Sequence, residues 1–159
     1  FARVRSLGFV PCFWLTPFIN DSNVLDMAGI DAGASSNFKE AVDNGFLVKR
    51  ADGSPMIVPW WKGTGGLVDF TNPAAKAWWL EQLAPTLRWG IAAIKCDDGE
   101  SNFVQDAHFF DGSTAAAMKG RYASLYLQAA HDFLERHRPG DHTLISRCGF
   151  TGTGRWPFG

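Results

Sequence analysis

The 159-residue chain lacks several features that would each have pointed to a particular function. Its three cysteines, Cys12, Cys96 and Cys148, lie far apart and never form a C-x-x-C pair. That spacing speaks against a disulfide framework or a zinc site and makes buried free thiols the expectation. Lysine and arginine never form a run and the formal net charge is −1, so binding to a nucleic-acid backbone is not expected. No stretch approaches the roughly 18 consecutive apolar residues that a membrane span needs. No cluster of metal-ligand residues stands out, and no metal or organic cofactor is expected. Gly152-Thr153-Gly154 resembles a dinucleotide fingerprint only in part, because Pro157 stands where its last glycine belongs. Phe1 begins the chain without Met or a signal-peptide pattern, and Gly159 ends it straight after a loop-like run. The expectation is therefore an internal stretch of a longer protein, with no oligomeric state or compartment specified by the pattern.

What the chain does have is aromatic rings: seven Trp and thirteen Phe beside an ordinary 19% of charged residues. At 46% hydrophobic, it can build a real core. Such ring density serves a core, and it also suits a sugar-binding cleft, where a flat face covers the C–H face of a pyranose.

Residues 1–8 have the pattern of a helix closing at Gly8, and FVPCFWLTP (9–17) that of a buried parallel strand ended by Pro17. From Ile19 to about Gly66 the pattern is irregular, apart from a small hairpin over 46–58 around Asp52-Gly53. This excursion is expected to be a loop insertion without a core of its own. Order returns at GLVDF (66–70). Thr71-Asn72-Pro73 then supplies a cap and a first-turn proline for a helix over 74–89, which Pro85 is expected to bend or end. IAAIKC (91–96) predicts a strand and 98–113 a loop. An amphipathic helix is predicted over 115–137, closed by Pro139-Gly140, and HTLISRC (142–148) predicts a further strand. The order βαβαβ means a parallel sheet. Long loops after the strands and short links before them favour a barrel over a doubly wound sheet. A full (β/α)8 TIM barrel takes about 250 residues, so about three βα units with a long loop insertion are expected, all within one domain fragment over residues 1–159.

Alternation along a strand puts Lys95 and Asp97 on one face and Ile94 and Cys96 on the other. In a barrel the first face is the lumen, and charged groups at a strand's C-terminal end are where such enzymes keep their chemistry. From spacing alone, a catalytic acid and a solvated strand end both fit. Trp14, Trp60 and Trp61 are candidates for stacking on sugar, with core packing an equal alternative. Trp78 and Trp79, within a helix, are expected in helix–barrel packing. His108 and Asp111 fit a solvated loop better than an outer subsite. Asn20-Asp21-Ser22 is a formal glycosylation sequon of a kind that arises often by chance.

Three blocks in order carry a family resemblance: WWKGTGGLVDFTNPAAKAWW (60–79), IKCDDGESNF (94–103) and SRCGFTGTGR (146–155). Together with FWLTP they cover most of the chain, and they resemble glycoside hydrolase family 31. The resemblance implies retaining hydrolysis of terminal α-linked sugars in an oligosaccharide or glycoside, with Asp97 as nucleophile. It implies that Arg147 hydrogen-bonds sugar hydroxyls and that Lys95 lies under the sugar; the plain alternatives are an ion pair to Asp97 or Asp98 for Arg147 and a lumen salt bridge holding Asp97 ionised for Lys95. The K-x-D-x-G-E form leans toward the α-xylosidase and α-galactosidase-like branches. Asp98 departs from the family, which usually has an aromatic or apolar residue there; its carboxylate either alters the sugar accepted or turns outward. The family's acid/base Asp is expected in a W-x-G-D run just after Gly159, so residues 1–159 alone are expected to be inactive. Two rivals remain at this point: a non-catalytic carbohydrate-binding relative and a transglycosylase using the same site.

Overall fold

The computed structural model describes residues 1–23 and 33–156; Pro157 lies outside the described residues. The chain runs α1 (Ala2–Ser6), β1 (Cys12–Leu15), β2 (Phe18–Asn23), α2 (Phe38–Asp43), β3 (Ile57–Trp60), β4 (Gly63–Leu67), α3 (Pro73–Arg88), β5 (Ala93–Cys96), α4 (Ala115–Met118), α5 (Arg121–His137) and β6 (Thr143–Ser146). Single 3-10 turns occupy Ser101–Val104 and Thr153–Arg155.

The parallel strands order as β1-β5-β6, in a register that sets Trp14, Lys95 and Ile145 level with one another. One face carries Ile94, Cys96 and Leu144, all buried beneath the helices. The other carries Trp14 and Ile145, both exposed, and is the face a closed barrel turns inward. Helix α5 packs on β5, β6 and α3 through Tyr122, Tyr126, Leu127, Ala130, Phe133 and Leu134, which recur at helical spacing. This is part of a (β/α)8 barrel, as the pattern predicted. No helix among the described residues is long and apolar enough to cross a membrane.

The excursion from 19 to 66 is more ordered than its sequence suggested. It contributes a three-stranded antiparallel sheet, β2-β4-β3, whose central strand has the sequence GTGGL. Glycine hides such a strand from pattern reading, since it has neither β propensity nor an apolar face. The glycines are there for close approach: a Cβ on Gly65 would lie 2.6 Å from Asn20 Oδ1 and 2.8 Å from the Ile19 carbonyl. Phe18, Ile19, Leu47, Val48 and Leu67 join this sheet to the same core as the helices. The turn at Asp52-Gly53 forms, with Arg50 N donating to the Ser54 carbonyl (2.8 Å) and Met56 N to that of Val48 (2.8 Å). Beyond it, residues 57–60 leave the hairpin and pair with β4.

Of the two outcomes expected at Pro85, an end to the helix is excluded, and one further helix expectation needs correction. Pro85 does not end α3, which continues to Arg88; the proline sits on the exposed side, where water can hydrate the carbonyl that loses its N–H partner. At its start, Asn72 Oδ1 accepts from Ala74 N (3.0 Å) and Ala75 N (3.4 Å), with Pro73 in the first turn, as expected. The single helix predicted over 115–137 is broken between Met118 and Arg121. The break holds Gly120 against the Phe150 ring so closely that any Cβ would clash with it. Cys12 is exposed, against the expectation of burial, whereas Cys96 and Cys148 are buried. Burial pushes their thiols up to about 12 and about 11 respectively. Trp78 and Trp79 are buried in helix–barrel packing, as expected.

Tyr126 ties this core to the strand ends. Its buried hydroxyl donates to the Leu15 carbonyl (3.0 Å), with the Asp97 carbonyl at 3.3 Å. Tyr126→Phe should therefore cost about 1 kcal/mol of local stability. Hydrogen exchange in the full-length protein is expected to speed up at the Asp97 amide, which bonds Leu15, while protection in the middle of α3 stays the same.

Candidate active site

Asp97 and Arg147 are the first residues past the ends of adjacent strands. Asp97 N donates to the Leu15 carbonyl (2.8 Å) and Arg147 N to the Cys96 carbonyl (3.0 Å), so the ladder itself brings the two side chains to one level. Both oxygens of Asp97 are engaged. Trp14 Nε1 donates to Oδ2 (2.8 Å), Lys95 Nζ lies 3.8 Å from the same oxygen, and Arg147 Nε lies 2.7 Å from Oδ1. The shared face of Lys95 and Asp97, inferred from alternation, is thus their observed geometry.

Asp98 does not turn outward. It is 1% exposed, with its backbone at φ +58°, a left-handed conformation that a non-glycine residue seldom adopts. Arg147 Nη2 lies 2.7 Å from Asp98 Oδ1 and 2.7 Å from Glu100 Oε1, while Trp61 Nε1 donates to Asp98 Oδ2 (3.3 Å). Arg147 is therefore in the ion pairs that the plain alternative foresaw, and with three acids rather than one. Glu100 Oε2 is buried without a hydrogen-bond partner among the described residues, which leaves a strong acceptor open beside the cluster. The sequence places Glu100 two positions after Asp98, in the K-x-D-x-G-E run, but gives it no role; its pairing with Arg147 depends on the backbone turn through Asp98 and Gly99, both at positive φ.

The three candidate tryptophans are not alike. Trp61 is 53% and Trp14 40% exposed, and their rings meet edge to face at 5.9 Å, so together they wall the Asp97 side. Trp60 stacks on Phe18 at 4.5 Å and donates from Nε1 to Asn20 Oδ1 (2.7 Å), so one of its faces is already covered. It buttresses Trp61, which it meets at 5.9 Å. His108 and Asp111 stand apart from this group. The backbone of His108 pairs with Lys49, and Asp111 faces Arg121 at 3.5 Å.

The neighbouring acids are driven in opposite directions. Burial pushes Asp97 up, but the Trp14 N–H, Arg147 and Lys95 outweigh it and hold the carboxyl below the usual range. Burial, helped by the charges of Asp97 and Glu100, pushes Asp98 up in spite of Trp61 and Arg147. Arg147 is driven up: desolvation opposes its charge, and the three carboxylates more than compensate.

A lumen-facing charged cluster at the C-terminal ends of parallel strands defines a (β/α)8-barrel protein with its site where such barrels carry chemistry. Residues 1–159 match the profile of the glycosyl hydrolases family 31 TIM-barrel domain over their whole length, and the chain belongs to that family. It is 31% identical over 143 residues to the α-xylosidase XylQ of Lactiplantibacillus pentosus, covering 90% of this chain and 17% of that protein. It is 29% identical to an α-xylosidase of Emericella nidulans, covering 98% of this chain and 19% of that one. Among solved structures, the cycloalternan-forming enzyme of Listeria monocytogenes, in complex with a pentasaccharide substrate, superposes with a TM-score of 0.78 at 29% identity. That match covers 96% of this chain and 14% of the enzyme. The chain thus spans less than a fifth of the length of these relatives.

Because the folded-state value of Asp97 lies below its unfolded one, its ionisation stabilises the fold above the ordinary carboxylate range. That contribution is lost as pH falls through the lowered value. Trp14→Phe removes one of the interactions that lower it, so the loss is expected at higher pH. A carboxyl NMR titration of the full-length protein reads this directly, and an unmoved Asp97 midpoint would contradict the assignment.

Proposed function

We propose that this chain forms part of the catalytic barrel of a retaining α-glycoside hydrolase acting on terminal α-linked sugars, with Asp97 as the nucleophile. The observation that carries the reading is the setting of Asp97: a carboxyl group just past a strand end, 6% exposed and oriented through both oxygens by Trp14, Lys95 and Arg147. Orientation of this kind turns a weak nucleophile into one aligned for attack.

In the proposed reaction an Asp97 oxygen attacks the anomeric carbon, and the bond to the leaving oxygen breaks as a second carboxylic acid protonates it. Water then cleaves the glycosyl ester, with that second acid acting as base. The second acid belongs about 5–5.5 Å from Asp97 in a retaining enzyme, and the family resemblance implies that it is the Asp of a W-x-G-D run after Gly159. Trp14 and Trp61 offer ring surface to the sugar. Arg147 holds the acids through Nε and Nη2, which leaves Nη1 for a sugar hydroxyl. No step calls for a metal or an organic cofactor.

The likenesses to a cycloalternan-forming enzyme and to an isomaltosyltransferase of Sporosarcina globispora favour a second reading, transfer to an acceptor sugar from the same glycosyl ester. Product analysis with and without acceptor separates the two.

On a panel of aryl α-glycosides, the full-length Asp97→Ala variant is expected to lose about a thousandfold or more in kcat. Equal cleavage by both proteins would overturn the nucleophile assignment. Arg147→Lys keeps the charge but loses the planar fork, and kcat/KM is expected to fall by about 10- to 100-fold. An unchanged kcat/KM would place Arg147 outside substrate binding.

A further inference from the structure

A second cluster of polar side chains lies at the opposite end of the parallel strands, away from Asp97. His131 and Glu135 stand four residues apart on α5 and so share a face of the helix. The turn through Pro139-Gly140 then brings His142, the residue just before β6, back onto that face. One ring nitrogen of each histidine and a carboxylate oxygen of Glu135 all lie within 4.8 Å of one another. His142 Nδ1 is 3.5 Å from Glu135 Oε2, and the two imidazoles meet edge to face at 5.2 Å.

We propose that His131, Glu135 and His142 form a binding site for a divalent transition-metal ion of the zinc type. Two imidazoles and one carboxylate are a donor set that zinc takes, with the fourth position left to water. Bonds of about 2.0–2.2 Å set tetrahedral donors about 3.3 Å apart, so the three side chains need to draw in by roughly an ångström. Glu135, at 52% side-chain exposure, has the freedom to move, while the His142 side chain, at 9%, is held in place.

For an ion held through Nε2 of each imidazole, an oxygen beside Nδ1 is the arrangement that fixes the tautomer and orients the ring. His142 Nδ1 lies 3.0 Å from the Arg138 carbonyl, and His131 Nδ1 lies 3.8 Å from Asp132 Oδ1. The nearby cations have acids of their own: Lys76 faces Asp132 and Arg138 faces Asp141, each at 3.5 Å. A bound ion would clamp the last turns of α5 to the start of β6, at the end of a barrel where residues serve stability rather than chemistry. The H-x3-E-x6-H spacing matches no familiar ligand motif. Only the fold joins its two halves, which is why the sequence showed no cluster.

The test is a titration of metal-free full-length protein with zinc chloride, followed by calorimetry and thermal unfolding. One equivalent is expected to bind saturably and raise the unfolding midpoint. His142→Ala should abolish both effects, and Glu135→Gln, an exposed change that spares the fold, should weaken binding by about tenfold or more. His108→Ala, a histidine elsewhere in the chain, should leave binding intact. Absence of saturable binding overturns the proposal, and so does equal binding by wild type, His142→Ala and Glu135→Gln.

Discussion

Arg147 enters from the end of β6 and meets Asp97, Asp98 and Glu100, all from the segment that follows β5. Three carboxylates this close would repel one another strongly without a cation among them, and burial makes the repulsion worse. A guanidinium suits this position because it stays charged and its planar fork can serve several oxygens at fixed angles. A lysine offers one point charge and could not hold Asp97 through Nε while holding Asp98 and Glu100 through Nη2. The segment 97–100 folds back on itself, with Asp98 and Gly99 both at positive φ. The return of charge to Arg147 offsets that backbone cost.

This arrangement depends on layers beneath it. The parallel register sets Asp97 and Arg147 level, and the Tyr126 hydroxyl fastens the ends of β1 and β5 to α5 from below. From the side, the antiparallel sheet delivers Trp61 to Asp98, while Asn20 and Phe18 hold Trp60 behind it. The insertion is therefore part of the site's wall. Its glycine-rich central strand lets Asn20 lie close enough to serve Trp60.

The parallel strands were legible because buried strands are short apolar runs between turn signals, and α3 because Asn72-Pro73 marks its start. Lys95 and Asp97 could be placed on one face because strand alternation is a strict period of two. The antiparallel sheet was not legible, because a strand rich in glycine has no apolar alternation to detect. The break at Gly120 was hidden for another reason: the ring it packs against, Phe150, lies thirty positions away. Asp98 was seen as a departure from the family, but which way it points is decided by φ and by a partner 49 residues on. Contacts across that distance are settled by tertiary packing, which local pattern does not encode.

The surplus of acids has a consequence for the proposed reaction. Asp97, Asp98 and Glu100 face Arg147 and Lys95, three carboxylates against two cations. A surplus of negative charge favours the oxocarbenium-like transition state, whose positive charge develops beside Asp97. When Asp97 becomes an ester it loses its charge, and a guanidinium held by Asp97 alone would then be released. Asp98 and Glu100 keep their hold on Arg147 through that step, so the hydrogen-bonding geometry around the sugar survives into the second half of the reaction. On this reading Asp98 is less a change in sugar preference than a means of keeping Arg147 still while its other partner is consumed and restored.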